Sequence, residues 1–433
     1  MIAFVILAAA LGDGATPLVV RPMAAPKPAL RYQLLPEVRE MNAGNAVQWY
    51  LRCFAEQRNF FFGKQGVEER ARYRGMTLPE LAREQLRNYG GSALTQADWA
   101  ARLTTADWDP DPRAPELPAF RVLAQSLQVR FRGEVARQDF DSAIRTAKTM
   151  FGFARHLSES PNLEANRLGL EVAELALDTL EEFLQQPGAP NLYWALTDLP
   201  SPLVPLRKGF QGERAQVDLE LATIRVDEAM SDDELEQFVS RLSGRIGSLR
   251  EQAGRSPKNV RTAIKARVDD RERVARIRNR LLSEAPSAGT LDKLAALKFL
   301  TYSPLQLILL DEHTEFESRR DESLKLLGLA PWQLDAMKIP ADRGDGIFAD
   351  FIPRVSEQVR TQARVDQRIA LLRWVESIRL HAASHDGKPP QSPSEIAVPL
   401  PADPFTGRPF GYALEGASVK VSGSGKSYSI TVK

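Results

Sequence analysis

The chain has one cysteine, Cys53, so it can form no intrachain disulfide and no multi-cysteine metal site, and that thiol is expected to be a small buried apolar group. It lacks an excess of either charge, with 57 basic residues against 56 acidic ones. The balance excludes a whole-molecule field for nucleic acid and leaves any electrostatic partner to local patches. Membrane-length apolar runs are missing as well. Ile2–Leu11 and Leu305–Leu310 fall well short of the roughly 20 residues that a spanning helix needs. No Gly-x-Ser-x-Gly motif is present, and there are only four histidines.

The N-terminal apolar run has another use. Its length fits the hydrophobic region of a secretory signal, and Ala10-x-Gly12 offers small residues for cleavage, although no Lys or Arg precedes it. This predicts export to the periplasm or beyond, and the absence of a Leu-x-x-Cys sequence gives no support to a lipid anchor. Pro17–Pro28, rich in Pro and Ala, reads as a tether. At 433 residues the chain is long for one core. The expected layout is a signal peptide over 1–15, a linker over 16–29, a helical array over 30–210, a charged helical region over 211–365 and an α+β module over 366–433.

Helical periodicity dominates. Asn45–Gln57 carries apolar residues at helical spacing. Thr77-x-x-Glu80 is a capping box ahead of Leu81, Leu86 and Tyr89, and Gly90-Gly91 is expected to end that helix. Thr95-x-x-Asp98 starts another. Leu123–Ala136 and Phe140–His156 read as an antiparallel pair, followed by Leu163–Leu184 with Leu168, Val172, Leu175, Ala176, Leu180 and Phe183 on one stripe. Asp139–Ile144 resembles the start of the second helix of a tetratricopeptide repeat. Gln138 stands where that family usually has Gly, and no second copy follows at the period of about 34 residues. Between Pro187-Gly188 and Pro200 lies Asn191–Leu199, a short aromatic helix expected to act as a plug. Tyr193 and Trp194 would bind a partner only if they face solvent.

Charge then alternates. Glu213–Glu236 is acidic, with Ser231-x-x-Glu234 as a capping box, and Arg255–Arg280 is basic. Ser256-Pro257 reads as the start of the basic helix, with Val260, Ile264, Val268, Val274, Ile277 and Leu281 on its apolar stripe. Its Arg261, Lys265, Arg271 and Arg278 either hold an anionic polymer or surface, or pair with the acidic segment before them. Without interleaved aromatics for base stacking, specific nucleic-acid binding is not expected.

The C-terminal stretch changes character. A helix over Arg368–His385 leads through Gly387–Pro390 and Asp403–Pro409 to three short strands at 410–414, 418–422 and 428–432. This order, with Tyr412, resembles the globular end of type II secretion major pseudopilins, which implies a small helix-plus-sheet module. The processed N-terminal helix of that family has no counterpart here, so filament assembly is not carried over. Leu30–Pro36 (Leu-Arg-Tyr-x-Leu-Leu-Pro) and Asn191–Leu196 (Asn-Leu-Tyr-Trp-Ala-Leu) are similar to segments of uncharacterised exported helical proteins of planctomycete-type bacteria.

Four places suggest chemistry. His313 lies among Asp311, Glu312, Glu315 and Glu317, as a general base would, but no nucleophile motif accompanies it. His381 and His385 share a helix face without a well-phased third ligand, and Glu376 is out of phase with them. Asp107-x-Asp109-x-Asp111 opens like a calcium loop, but Pro112 and Pro118 occupy its sixth and twelfth places. Gly423–Ser427 imitates a phosphate loop without its helix and reads as a hairpin turn.

The expectation is therefore a mainly α protein: an antiparallel helical-hairpin array with a small C-terminal α+β module of one helix and a three-stranded antiparallel sheet. It is expected to be a non-enzymatic scaffold of the cell envelope that binds another protein or peptide. No catalytic, cofactor-binding or metal-binding residues are expected. Polymer binding through Arg255–Arg280 is the first alternative, and an envelope hydrolase built on the His313 cluster is the second.

Overall fold

A computed structural model describes residues 14–84, 86–108, 116–252, 254–256, 259–283, 297–337, 345–416 and 418–433. The apolar run 2–11, Asp109 and Asp111, and Pro257 lie outside the described residues. The protein is mainly α, 62% helical, with a small sheet at its C-terminal end. Among the described residues no helix is long and apolar enough to cross a membrane.

The chain divides into two compact units. The first comprises the chain through Gly209 together with Ala330–Ala336 and Gln358–Lys433, and the second comprises Phe210–Leu329 and Met337–Glu357. The expected separate C-terminal module is part of the first unit, for reasons that lie in its side chains.

In the first unit, β1 (Thr16–Val20) is followed by β2 (Asn42–Asn45), α1 (Ala46–Glu56), α2 (Arg58–Phe62), α3 (Lys64–Gly75), α4 (Leu78–Leu81), α5 (Gly91–Ala100) and β3 (Leu103–Thr105). Asn45 caps α1 by accepting from the Val47 amide. The Thr77–Glu80 capping box forms, but it opens a single turn. Gly90, at φ 81°, is the N-cap of α5, so the glycine pair starts a helix where it was expected to end one. Thr95 and Asp98 lie inside α5.

The long helices are α6 (Leu117–Ala136), α7 (Phe140–Ser158) and α8 (Leu163–Leu184). Asp139 and Asn162 cap the last two. Gln138, in the position where the repeat family uses glycine, sits at φ 59°, the left-handed region that glycine favours. Its amide donates to Val135 O at 2.9 Å, and the Asp139 amide to Glu134 O at 3.0 Å, which satisfies the end of α6. A side chain at Gly169 would stand 2.8 Å from Ala154 O, so the α7–α8 approach requires glycine there. The expected α8 stripe is buried at Leu168, Val172, Ala176, Leu180 and Phe183, with Leu175 half-buried. The plug is α9 (Tyr193–Thr197).

The second unit carries part of α10 (Arg207–Leu221), then α11 (Asp232–Gln252), α12 (Val260–Asp269), α13 (Arg271–Ser283) and α14 (Pro304–Leu324). The basic stretch is two helices and not one. Asn259 caps the first by accepting from the Thr262 amide, and Asp270 breaks the chain at ψ 87°. The expected apolar stripe faces the core: Val260, Ile264, Val274 and Ile277 join Leu235, Phe238, Ile246 and Leu307–Leu310 in one cluster, with Val268 and Leu281 partly buried against it. Gln306, fully buried, donates to Arg225 O and Glu228 O and accepts from the Met230 amide, which pins the loop before α11.

The chain returns to the first unit through α15 (Pro331–Ala336) and most of α16 (Val355–Ala383), then β4 (Gly411–Glu415), β5 (Ser418–Ser422) and β6 (Ser427–Val432). The three late strands form the expected antiparallel meander. The sheet, however, has a fourth strand: its order is β1-β6-β5-β4, with β1 parallel to β6. The expected tether over 16–29 is thus corrected at its start. Leu18 and Val20 alternate into the core, a period-two pattern too short to stand out beside the prolines.

Candidate functional site

The plug is the best-organised polar centre of the first unit. Asn191 Oδ1 accepts from the Tyr193 amide at 3.0 Å, while its Nδ2 donates to Glu376 O at 2.9 Å. Glu376 Oε1 accepts from the Leu192 amide at 2.8 Å. Its Oε2 takes Arg379 Nη1 at 2.8 Å, and both side chains are 0% exposed. The guanidinium spends its other donors on Ala189 O at 2.7 Å and Arg21 O at 3.0 Å. Burial lifts the Glu376 carboxyl above its ordinary value, and Arg379 pulls the other way. Two ions removed from water need this many partners, because an uncompensated one would cost several kcal/mol. The pair therefore clasps three distant segments, 21, 189–192 and α16, into one body.

Tyr193 extends the clasp. It is fully buried, its hydroxyl donates to Pro399 O, and the Arg373 guanidinium lies 5.7 Å above its ring. Trp194 is half-buried, edge-on to Tyr193 at 5.0 Å. Tyr193 is therefore core, and its candidacy as a partner-binding residue is corrected: the hydroxyl already has a main-chain acceptor, and the ring fills the junction between α9 and α16.

A second ionic layer joins α8, α16 and the sheet. Arg368 Nη2 donates to Asp178 at 2.6 Å and Glu181 at 2.7 Å, and Glu181 also receives Lys426 at 2.9 Å and the Tyr428 hydroxyl. Burial would raise the Glu181 carboxyl, but Arg368 and Lys426 outweigh it and hold it below its usual value. Lys426 belongs to the Gly423–Ser427 turn, which is a hairpin turn as expected and spends its ammonium on a helix carboxylate. Asp403, in the pseudopilin-like segment, accepts from Gln367 Nε2, the Phe405 amide and the Ser424 amide at 2.7–2.9 Å. These ties account for the module's place in the first unit.

In the second unit the basic helices meet acids, but mainly not the expected ones. Arg267 and Arg273 converge on Glu312 at 2.8 and 2.7 Å, and Arg273 and Arg280 reach Asp311. Arg250 and Arg255 share Asp350 at 3.1 and 3.2 Å. Of the earlier acidic segment, Glu236 takes Arg261. Arg278 donates to Tyr302 O at 3.2 Å. Lys265 and Arg271 are exposed, with no side-chain partner found among the described residues. The cause is register: α12 and α13 pack on α14, whose first buried turns end at Asp311 and Glu312.

That arrangement disperses the His313 cluster. Glu312 is buried against the arginines and also accepts from the Ile347 amide at 2.7 Å. Glu315 pairs with Arg319, and Glu317 lies 4.0 Å from His313 Nδ1. Burial lowers the His313 imidazole below its ordinary value. Side chains one residue apart leave a helix in different directions, so the four acids do not converge on the imidazole. The small cavity beside Glu312, Phe316 and Phe348 holds about 10 Å³, the space of one water.

His381 and His385 stack face to face, 3.8 Å apart and 4° from parallel. Each Nδ1 lies against a backbone carbonyl, Glu395 O at 3.2 Å and His381 O at 2.8 Å. Parallel ring planes share no point at which one ion could lie in line with both lone pairs. No group of three or more metal-ligating side chains is found among the described residues. His156, at the heart of the α-helical core, takes the Tyr50 hydroxyl at 2.9 Å, and burial pushes its imidazole down to about 4. Cys53 is buried as expected, which pushes its thiol up to about 12.

No family model, curated protein or solved structure matches the chain. Sequence reasoning missed Glu376, Arg379, Asp403, Glu181 and Arg368. The signal available for the first pair was its i,i+3 spacing amid the apolar Leu371, Leu372, Trp374, Val375 and Ile378, where a lone charge would be costly.

Proposed function

We propose that this chain is an exported, non-enzymatic scaffold of the cell envelope that binds another protein or peptide. The observation that carries the reading is a set of exposed large apolar side chains on the first helices of the first unit. Phe62 and Trp99 are each 44% exposed, and Leu51 and Val67 are exposed beside them in the sequence of helices α1–α5. Phe62 lies 5.6 Å from Phe54, and Trp99 lies 6.0 Å from Trp49, so both flanks of α1 carry exposed aromatics. Large apolar side chains left exposed are what protein-binding surfaces use. The engagement of the carboxylates around His313 in ion pairs speaks for a scaffold over a hydrolase. The same pairing leaves only Lys265 and Arg271 of the candidate cations exposed without a partner, which speaks for protein over polymer as the ligand.

The test is affinity capture from envelope extracts with the unaltered chain and with a Leu51→Ser/Phe62→Ser double variant. A protein retained by the first and lost from the second, at equal helix content, supports the reading. Equal capture by both, or capture by neither, refutes it. Export stands or falls separately: native protein whose mass retains Met1 would overturn it.

A further inference from the structure

The sheet of the first unit has two edges, and they are treated differently. At the β1 edge, Val20 O accepts from the Lys433 amide, which turns Leu18 and Val20 toward β6 and Pro17 and Val19 outward. Pro17 has no N–H to offer, and the Val19 amide donates to Gln185 Oε1 at 3.1 Å. That edge offers no free N–H.

Ala402 bridges to Pro409 just before β4, and beyond that point the β4 edge is open. Gly423 N donates to Lys426 O at 2.9 Å, which makes Tyr428 and Ile430 the β6 residues that bond β5. Ser418, Lys420 and Ser422 therefore bond β4, through their partners Glu415, Ala413 and Gly411. Tyr412 and Leu414 are left with N–H and C=O groups pointing away from the sheet, and none of the four finds a partner among the described residues. The strand has no proline, lysine or bulge to blunt it.

We propose that β4 pairs with β4 of a second copy of this chain, antiparallel and centred on Ala413. In that register Tyr412 faces Leu414 of the other copy, and the two exchange both main-chain hydrogen bonds. The symmetric exchange on the other side completes four, using every open group of the edge. The solvent-facing residues also fit: Ala413 meets Ala413, and Gly411 meets Glu415, so no like charges oppose and no bulk collides. A two-fold pairing needs the same segment to complement itself, and Gly-Tyr-Ala-Leu-Glu does so. An extended peptide from another protein would satisfy the same four groups, but it has no such fixed match in this sequence.

The test uses the full chain. Sedimentation velocity over a dilution series is expected to show the mass doubling at high concentration. Ala413→Lys, at an exposed position, sets two ammonium groups directly opposite and is expected to abolish the doubling without altering the unfolding transition. Ala413→Cys is expected to yield a disulfide-linked dimer under mild oxidation. Non-hydrogen-bonded partners are about 4.5 Å apart between Cα atoms, within disulfide reach, and the buried Cys53 cannot substitute. Glu415→Cys alone is expected not to cross-link, but to do so when mixed with Gly411→Cys. A chain that stays monomeric at every concentration overturns the proposal. So does a dimer that survives Ala413→Lys, or a monomer whose 411–415 edge takes an extended peptide instead.

Discussion

The two units hold their charges in different ways. In the first, Glu376 and Arg379 are sealed from solvent and joined to main-chain atoms of residues 21, 189 and 192. In the second, Glu312 is equally buried, but the arginines it gathers remain 15% and 29% exposed at their side chains. A sealed pair locks distant segments together because neither ion has water to fall back on. A pair with one wet partner holds neighbouring helices and tolerates its own loss better. The difference follows from where each arginine starts: Arg379 ends a stretch of α16, 374–379, that is buried all round, whereas Arg267 and Arg273 lie on helices that bury one stripe only.

The hardest test of this contrast is Arg379→Ala. It leaves Glu376 buried without its countercharge and strips donors from Ala189 O and Arg21 O, so a loss of about 3–5 kcal/mol is expected. The loss should appear as faster hydrogen exchange in 16–23 and 187–197 at once. Replacing both ions together, Glu376→Leu with Arg379→Met, should recover much of it. If Arg379→Ala leaves exchange in either segment unchanged, the clasp is not what joins them.

Glu312→Ala should cost less, about 2–3 kcal/mol, because Arg267 and Arg273 can turn to water while the Ile347 amide loses its acceptor. Hydrogen exchange should quicken in α12–α14 and remain unchanged in α6–α8. A cost equal to that of Arg379→Ala would erase the distinction between sealed and half-wet pairs.

Much of this was legible beforehand, and the failures share a cause. Helices announce themselves within a few residues, so the capping boxes at Thr77–Glu80 and Ser231–Glu234 and the stripes of α8 and α12 are legible in the sequence. The partner of a charge is not local. Sequence proximity points Arg267 to acids some 30–50 residues earlier in the chain, while its partner lies 45 residues later on α14. Glu376 is out of phase with His381, but its partner Arg379 is three residues on, and its other oxygen holds the Leu192 amide. β1 escaped for the same reason, since nothing near Thr16 reveals a neighbour at Tyr428. Gln138 failed in an instructive way: the residue departs from the glycine of the repeat family, yet the backbone keeps the glycine conformation.

A buried acid without an arginine in hydrogen-bond contact sharpens the comparison further. Glu134 on α6 takes the Thr146 hydroxyl at 2.6 Å, but Arg130 Nε stands 3.9 Å away because that guanidinium is committed to Asp98. Burial pushes the Glu134 carboxyl up to about 7, with Arg130 only partly opposing. The unfolded chain releases this proton near pH 4.3, so between those values the folded state binds more protons and stability falls as pH rises. From pH 5 to pH 7 the group should remove about 2 kcal/mol, the smallest of the three effects. His156 acts in the opposite sense, since a folded imidazole pushed down to about 4 loses stability as pH falls below about 6.5. Glu134→Gln keeps an acceptor for Thr146 and removes the first contribution alone. Denaturant unfolding at the two pH values should therefore find the variant gaining on the parent chain by that amount at pH 7. If the two chains show parallel pH dependence, the Glu134 carboxyl is ionised in the core, and an arginine 3.9 Å away would suffice to keep it so.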